Sequence, residues 1–156
     1  TNSEDKIDFN SISRGKKIHN ILMYIKNINQ IEKGINLAIA KNIISNSERK
    51  NYSDLVKVIL NNPKVKPFFD PNLESYNEIE VINKNGNINR IDRIVEMKDK
   101  SINIIDYKTG TEKEDDILQV ENYKNILKEI EDKNITAYLI YIDLNKVVKV
   151  WLKSFF

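Results

Sequence analysis

The sequence predicts an α/β protein, a mixed central sheet of about five strands flanked by helices. Three observations carry this. Ahead of Tyr76 the apolar residues recur three and four apart. From Tyr76 onward the period drops to two. One later helical stretch is a crossover, so the fourth strand can lie parallel to one of the first three.

Taken in order, the first ten residues are polar and are expected to be loose. From Ser13, Ile18, Ile21, Leu22, Ile25 and Ile28 mark an amphipathic helix, with Ser11 or Ser13 available as its N-cap. A second helical pattern covers 32–45 and a third 53–60, the latter with Ser53 as its expected cap. Asn61-Asn62-Pro63 ends the third, because proline cannot continue the hydrogen-bond ladder. The segment 65–71 reads as a turn or short helical piece that turns Phe68 and Phe69 inward. Strands follow over 78–82, 88–97 and 101–108. Asn83-Lys-Asn-Gly86-Asn makes the first hairpin turn, with glycine supplying positive φ. Lys98-Asp99-Lys100 makes the second. A helix over 115–131 places Ile117, Leu118, Val120, Ile126, Leu127 and Ile130 on its apolar positions. Two strands over 135–143 and 147–152 close the pattern around a tight Leu144-Asn145-Lys146 turn.

The chain has 156 residues, a net charge of +2 and 31% charged residues. It fits one domain, expected over 13–156 behind a flexible segment over 1–12. Near-neutral charge neither demands nor excludes a nucleic-acid partner, since a local basic groove can sit on a neutral domain. There is no cysteine, which excludes a disulfide scaffold and a cysteine-held iron–sulfur cluster and fits a cytoplasmic setting. No run is long and apolar enough to suggest a membrane span. Thr1–Lys6 lacks the apolar core of a signal peptide. The absence of an initial Met suggests an excised domain or a processed chain. No Walker A run occurs, so no nucleotide is expected to bind to this domain.

The chemistry concentrates in two strands. Asn89-Arg-Ile-Asp92-Arg-Ile-Val carries an acid where an apolar residue is expected, and Ile104-Ile-Asp106-Tyr-Lys108-Thr-Gly110 carries an acid and a lysine. Asp106 and Lys108 share one strand face with Ile102 and Ile104, so that face should turn to a core. Burying a carboxylate and an ammonium is costly without a partner. With the second turn centred on Asp99, Asp92 falls directly across from Asp106, at a Cβ separation of roughly 5 Å. Two carboxylates so placed call for a cation. Mg²⁺ (or Mn²⁺) suits such hard oxygen ligands, with the Tyr107 carbonyl as a possible third and Lys108 in reach of water or phosphate. The plainer alternative pairs Asp92 with Arg90 and leaves Asp106 and Lys108 as an ion pair at a strand end.

These residues, with Gln119 and Tyr123 on one face of the following helix, resemble the RecB-like branch of the PD-(D/E)XK nucleases, and more narrowly the nuclease domain of UvrD-type helicase–nucleases such as AddA and RecB. The resemblance implies a restriction-endonuclease-like core. It implies Asp92 and Asp106 as metal-binding acids, Lys108 as the catalytic lysine, and Gln119 and Tyr123 as further site residues. His19, the chain's single histidine, matches the histidine of the family's first helix. A glutamate on the preceding strand also belongs to the pattern, where Glu78 or Glu80 fits. These two share a strand face, and Glu78 is favoured because it stands nearer the strand start. Gln119 and Tyr123 also read as the polar edge of a packing face. The proline of the family name is absent, since Arg90-Ile91 precedes Asp92. The lack of cysteine sets the chain apart from the branch's iron–sulfur members.

Arg14, Lys16, Lys17 and Arg93 are the expected phosphate contacts. Lys146, Lys149 and Lys153 read as protection of an edge strand. The function implied is a Mg²⁺- or Mn²⁺-dependent DNase acting on single-stranded DNA or duplex ends. A helicase motor, in the same polypeptide or the same complex, would feed it during DNA-end processing and recombinational repair. A stand-alone nuclease of phage or defence type, or a scaffold that has lost catalysis, are the alternatives. Retention of Asp92, Asp106 and Lys108 argues against the scaffold.

Overall fold

The computed structural model describes the chain from Glu4 to Trp151. Helices α1 (Glu4–Met23), α2 (Ile31–Ala40) and α3 (Arg49–Asn61) come first, then strands β1 (Glu74–Ile82), β2 (Ile88–Glu96) and β3 (Ile102–Lys108). Helix α4 (Glu114–Ile130) and strands β4 (Ile135–Tyr141) and β5 (Lys146–Val150) complete the fold. The five strands form one sheet in the order β1-β2-β3-β4-β5. All neighbours are antiparallel except β3 and β4, which run parallel across α4. The expected α/β architecture is observed, and the fourth strand, expected parallel to one of the first three, lies parallel to β3.

The sheet separates two apolar clusters. On one side Ile18, Ile21, Leu22 and Ile25 meet Ile35, Ala38, Val56, Ile59, Leu60 and Phe69. On the other, Val120, Tyr123, Ile126 and Leu127 of α4 cover Ile91, Ile104, Ala137 and Leu139. Leu118 and Ile130, expected among the apolar contacts of α4, are exposed. The short 3-10 turn Lys66–Phe69 buries Phe68 and Phe69 as expected.

Several boundaries move, each for a local reason. Helix α1 begins at Glu4, so the segment expected to be flexible is helical from there and neither Ser11 nor Ser13 caps it. Helix α2 stops at Ala40, short of the expected end at Ser45, because Asn42 turns left-handed (φ 57°) and the Ile43 N–H bonds back to Ala38 O. Helix α3 starts at Arg49 and Ser53 lies inside it. A capping box instead opens the 3-10 turn Asn46–Glu48 that leads into α3: the Ser45 N–H donates to the Glu48 carboxylate at 2.9 Å while the Ser45 side chain accepts from the Glu48 N–H. Gly86 has the positive φ expected of the first hairpin turn. The expected strand end at Leu152, and Lys153, lie outside the described residues.

The C-terminal end of α1 is docked by the sheet. A helix end leaves carbonyls without intrahelical partners. Here the buried Arg93 guanidinium donates to Ile25 O (3.3 Å), Lys26 O (2.8 Å) and Phe68 O (2.8 Å), and to Asn77 Oδ1 (3.0 Å). Asn77 donates to Met23 O and Ile25 O, and Ser75 Oγ to Lys26 O. Arg93 also stacks 4.0 Å over the Phe69 ring. Arg93 is 1% exposed and so cannot meet DNA. Its expected role as a phosphate contact is corrected: it is a structural cation that fixes α1 against β1 and β2.

Candidate active site

The side chains that carry chemistry gather where three strands lose their regularity. In β1, Ser75 and Asn77 face the helical layer, while Ile79 and Val81 pack toward α4. In β2, Arg93 and Val95 face the helical layer, while Ile91 and Ile94 face α4. Both strands therefore switch faces at one level, between the pairs Asn77↔Arg93 and Ile79↔Ile91. Glu78 and Asp92 occupy that level. Glu78 has φ 55°, a conformation costly for a side chain with a Cβ. This strain breaks the parity that put Glu78 and Glu80 on one face. Glu78 turns in, and Glu80 is exposed.

The β2–β3 ladder ends at Arg93↔Ile105, in the register that places Asp92 across from Asp106 as expected. The Met97 N–H donates to Ser101 O, so by alternation the Tyr107 N–H would next reach Ile91. It donates instead to Asp92 Oδ2 at 2.9 Å. The Tyr107 ring is buried and meets the His19 ring edge-on, with centroids 6.0 Å apart.

His19 comes from α1, held by the Arg93 network. Its Nδ1 lies 3.4 Å from Asp92 Oδ1. Burial disfavours the imidazolium, but the Asp92 carboxylate, helped by Asp106, outweighs this and raises the His19 pKa above its ordinary value. Ligand atoms of His19, Glu78 and Asp92 all fall within 4.8 Å of one another. Glu78 is raised by burial and by Asp92. One nitrogen and two carboxylates converging in this way suit a divalent cation with oxygen and imidazole preference.

Asp106 and Lys108 form the adjoining wall. Asp106 is 2% exposed, and burial with the nearby Asp92 carboxylate pushes its pKa up to about 7. Its Oδ2 lies 2.9 Å from Lys108 Nζ but takes no well-aligned hydrogen bond. Lys108 Nζ donates to Gln119 Oε1 at 2.5 Å, and Gln119 Nε2 donates to Tyr123 Oη at 2.8 Å. Gln119 thus bridges Lys108 and Tyr123, whose ring also packs in the apolar cluster under α4. Burial pushes Tyr123 up to about 12. A recess of about 420 Å³ is lined by His19, Asp92, Asp106, Lys108, Gln119 and Tyr123, together with Arg90. The alternative pairing of Arg90 with Asp92 is not observed, since Arg90 Nε lies 2.6 Å from Glu78 Oε2.

The sequence profile of the PD-(D/E)XK nuclease superfamily matches residues 7–150. The chain belongs to that superfamily. Its members are in general metal-dependent nucleases, and the acid, histidine and lysine cluster of this PD-(D/E)XK protein fits a divalent ion. No curated protein matches the chain. A solved structure titled "Crystal structure of SSO0001" is similar at 14% identity and a TM-score of 0.37, over 85% of this chain. The match spans 65% of that structure's own length.

The remaining basic residues divide. Arg14 pairs with Asp143 at 2.6 Å, and Lys17 with Glu48 at 2.8 Å. Lys16 is exposed and lines a groove of about 550 Å³ beside the recess, together with Asn20, Arg90, Thr109 and Lys113. Sequence reasoning missed Asp143. Its Oδ2 accepts the Gly110 N–H at 2.7 Å while its Oδ1 holds Arg14, so it ties the loop after Lys108 to α1. At the same place a Cβ on Gly15 would lie 3.0 Å from Thr109 Oγ1. The only sequence signal was the glycine itself. No described helix is long and apolar enough to cross a membrane.

Proposed function

We propose that this PD-(D/E)XK domain is a divalent-metal-dependent deoxyribonuclease that hydrolyses phosphodiester bonds. The observation that carries this reading is the position of Lys108. Its ammonium is held between Asp106 and Gln119 on the wall of a recess shared with His19 and Asp92. His19, Glu78 and Asp92 are the residues that would hold the ion, with Asp106 and the Tyr107 carbonyl beside them. Mg²⁺ or Mn²⁺ bound there supplies Lewis acidity toward a phosphoryl oxygen and makes water a better nucleophile at neutral pH.

The chain's own residues do the rest. Gln119, itself held by Tyr123, keeps the Lys108 ammonium aimed into the recess, where it offsets charge building on the phosphate. Asp106 flanks the Lys108 ammonium from the other side. Asp92 fixes the Tyr107 backbone and positions His19. Lys16 is best placed of the first-helix cations to meet the DNA backbone.

The motif set Arg90-Ile-Asp92-Arg93, Asp106-Tyr-Lys108-Thr-Gly110, Gln119 and Tyr123 further supports a place in an ATP-dependent helicase–nuclease that processes DNA ends in recombinational repair. A separate motor would deliver the strand. The test is cleavage of end-labelled single-stranded and blunt duplex DNA in Mg²⁺, Mn²⁺ or EDTA, with Asp106→Ala and Lys108→Ala beside the wild type. Metal-dependent cutting lost in both variants supports the reading. Cutting in EDTA, or full activity of Lys108→Ala, refutes it. Cleavage that strengthens when a helicase is present favours the resection module, and full activity without one favours a stand-alone nuclease.

A further inference from the structure

Arg90 stands between the recess and the groove and lines both. Its Nε lies 2.6 Å from Glu78 Oε2, yet that buried oxygen makes no well-formed hydrogen bond, so the contact is charge against charge. Glu78 is the inward partner, and the Arg90 side chain is 66% exposed. Among the described residues the two Nη groups have no ion pair or hydrogen bond. A guanidinium presents its donors as a fork suited to a phosphate. Among the described residues, the groove that Arg90 enters is lined by Lys16, Asn20, Thr109 and Lys113 and by no acidic residue. Glu78 is also one of the three side chains whose ligand atoms converge within 4.8 Å. One carboxylate therefore serves two claimants, a cation in the cluster and the Arg90 guanidinium.

We propose that Arg90 couples ion binding at the acidic cluster to the grip on a DNA phosphate in the groove. With no ion bound, Glu78 holds the guanidinium. When a divalent ion takes Glu78, Arg90 loses its counter-charge and turns to the phosphate. The coupling is reciprocal, so a bound strand also favours the ion. This rests on the nuclease reading above, and Arg90 acts in it as a binding and positioning residue.

The experiment measures binding rather than cutting. Mn²⁺ affinity is read by calorimetry for the wild type and Arg90→Met, which should bind the ion about tenfold more tightly because no pair must be broken. Binding of a fluorescent single-stranded oligonucleotide is then read by anisotropy in a Lys108→Met background that leaves the strand uncut. Mn²⁺ should tighten binding about tenfold there, and less than twofold once Arg90→Met is added. Glu78→Gln should give the tight binding in EDTA, and Glu78→Gln with Arg90→Met should lose it. Melting curves check that each variant is folded. Equal Mn²⁺ affinity with and without Arg90 overturns the coupling. So does a gain from Glu78→Gln that survives loss of Arg90. Failure of the wild type to bind Mn²⁺, or of the uncut background to bind DNA under any condition, overturns the nuclease reading as well.

Discussion

Asp106→Asn should stabilise the metal-free protein at alkaline pH while abolishing its activity. Asp106 is 2% exposed, and burial beside Asp92 moves its pKa from 3.8 to about 7. In the unfolded chain the group ionises first as pH rises, so between about pH 4 and 7 the native state binds more protons. Stability then falls with pH, by about 1.4 kcal/mol per unit where the difference is one full proton. The loss reaches about 4 kcal/mol above pH 7. Asparagine keeps the shape and removes the titration. The attraction of Lys108 for the carboxylate is already contained in that pKa, and Lys108 keeps Gln119 and partial solvent access in the variant. The variant and wild type should therefore match within about 1 kcal/mol at pH 4.5, and the variant should lead by about 4 kcal/mol at pH 8. Urea unfolding in EDTA at pH 4.5, 6, 7 and 8 measures this. In saturating Mn²⁺ the wild type should recover more stability than the variant, because the ion binds only the folded cluster. A difference that stays constant across pH, or a wild type more stable than the variant at pH 8 in EDTA, refutes the reasoning.

Other outcomes follow from the same structure. Lys108→Met should lose roughly 100- to 1,000-fold in cleavage rate, read by single-turnover assay, with an unchanged urea midpoint at about pH 5.5, where Asp106 is neutral and has no charge for Lys108 to pair. Arg93→Met should lose about 3–5 kcal/mol in urea unfolding, because its removal strands the α1-end carbonyls and Asn77 without their buried donor. Gly34→Ala should cost about 1–3 kcal/mol despite alanine's better helix propensity, since its Cβ would fall 2.4 Å from Ile25 Cγ1 in the core; a neutral result would mean that Ile25 repacks freely. His19→Ala should weaken Mn²⁺ binding by about tenfold in calorimetry, with a smaller effect on Mg²⁺.

Much of the frame was legible because it is written in short-range pattern. The change of period at Tyr76 marks the passage from helices to sheet. Placing the second turn on Asp99 gave the register that sets Arg93 across from Ile105. Lys108 was readable from strand parity, whereas Gln119 and Tyr123 came from the family resemblance, their four-residue spacing saying only that they share a helix face. The errors arise where a distant element decides. Arg93 beside an acid on a strand reads as a DNA contact, and nothing local reveals that the end of α1 presents carbonyls to it. Glu78 was favoured over Glu80 only by position along the strand, because a positive φ is invisible in an alternating pattern. Arg14 and Lys17 look free in sequence, and their partners Asp143 and Glu48 lie far along the chain.

The switch of faces shared by β1 and β2 bears on any attempt to redesign this hairpin. By the rules of binary patterning, Glu78 and Asp92 are a phase error, the place where the inside–outside rhythm of two strands slips by one. Because both strands slip together, the pairing on either side stays in register, and the error is confined to a single rung. An idealised sequence would remove it, giving smooth alternation and an unstrained backbone. It would also turn one or both carboxylates away from His19. A stability screen of this hairpin should thus select against the cluster, whereas an activity screen should preserve an irregularity that costs the fold something to keep.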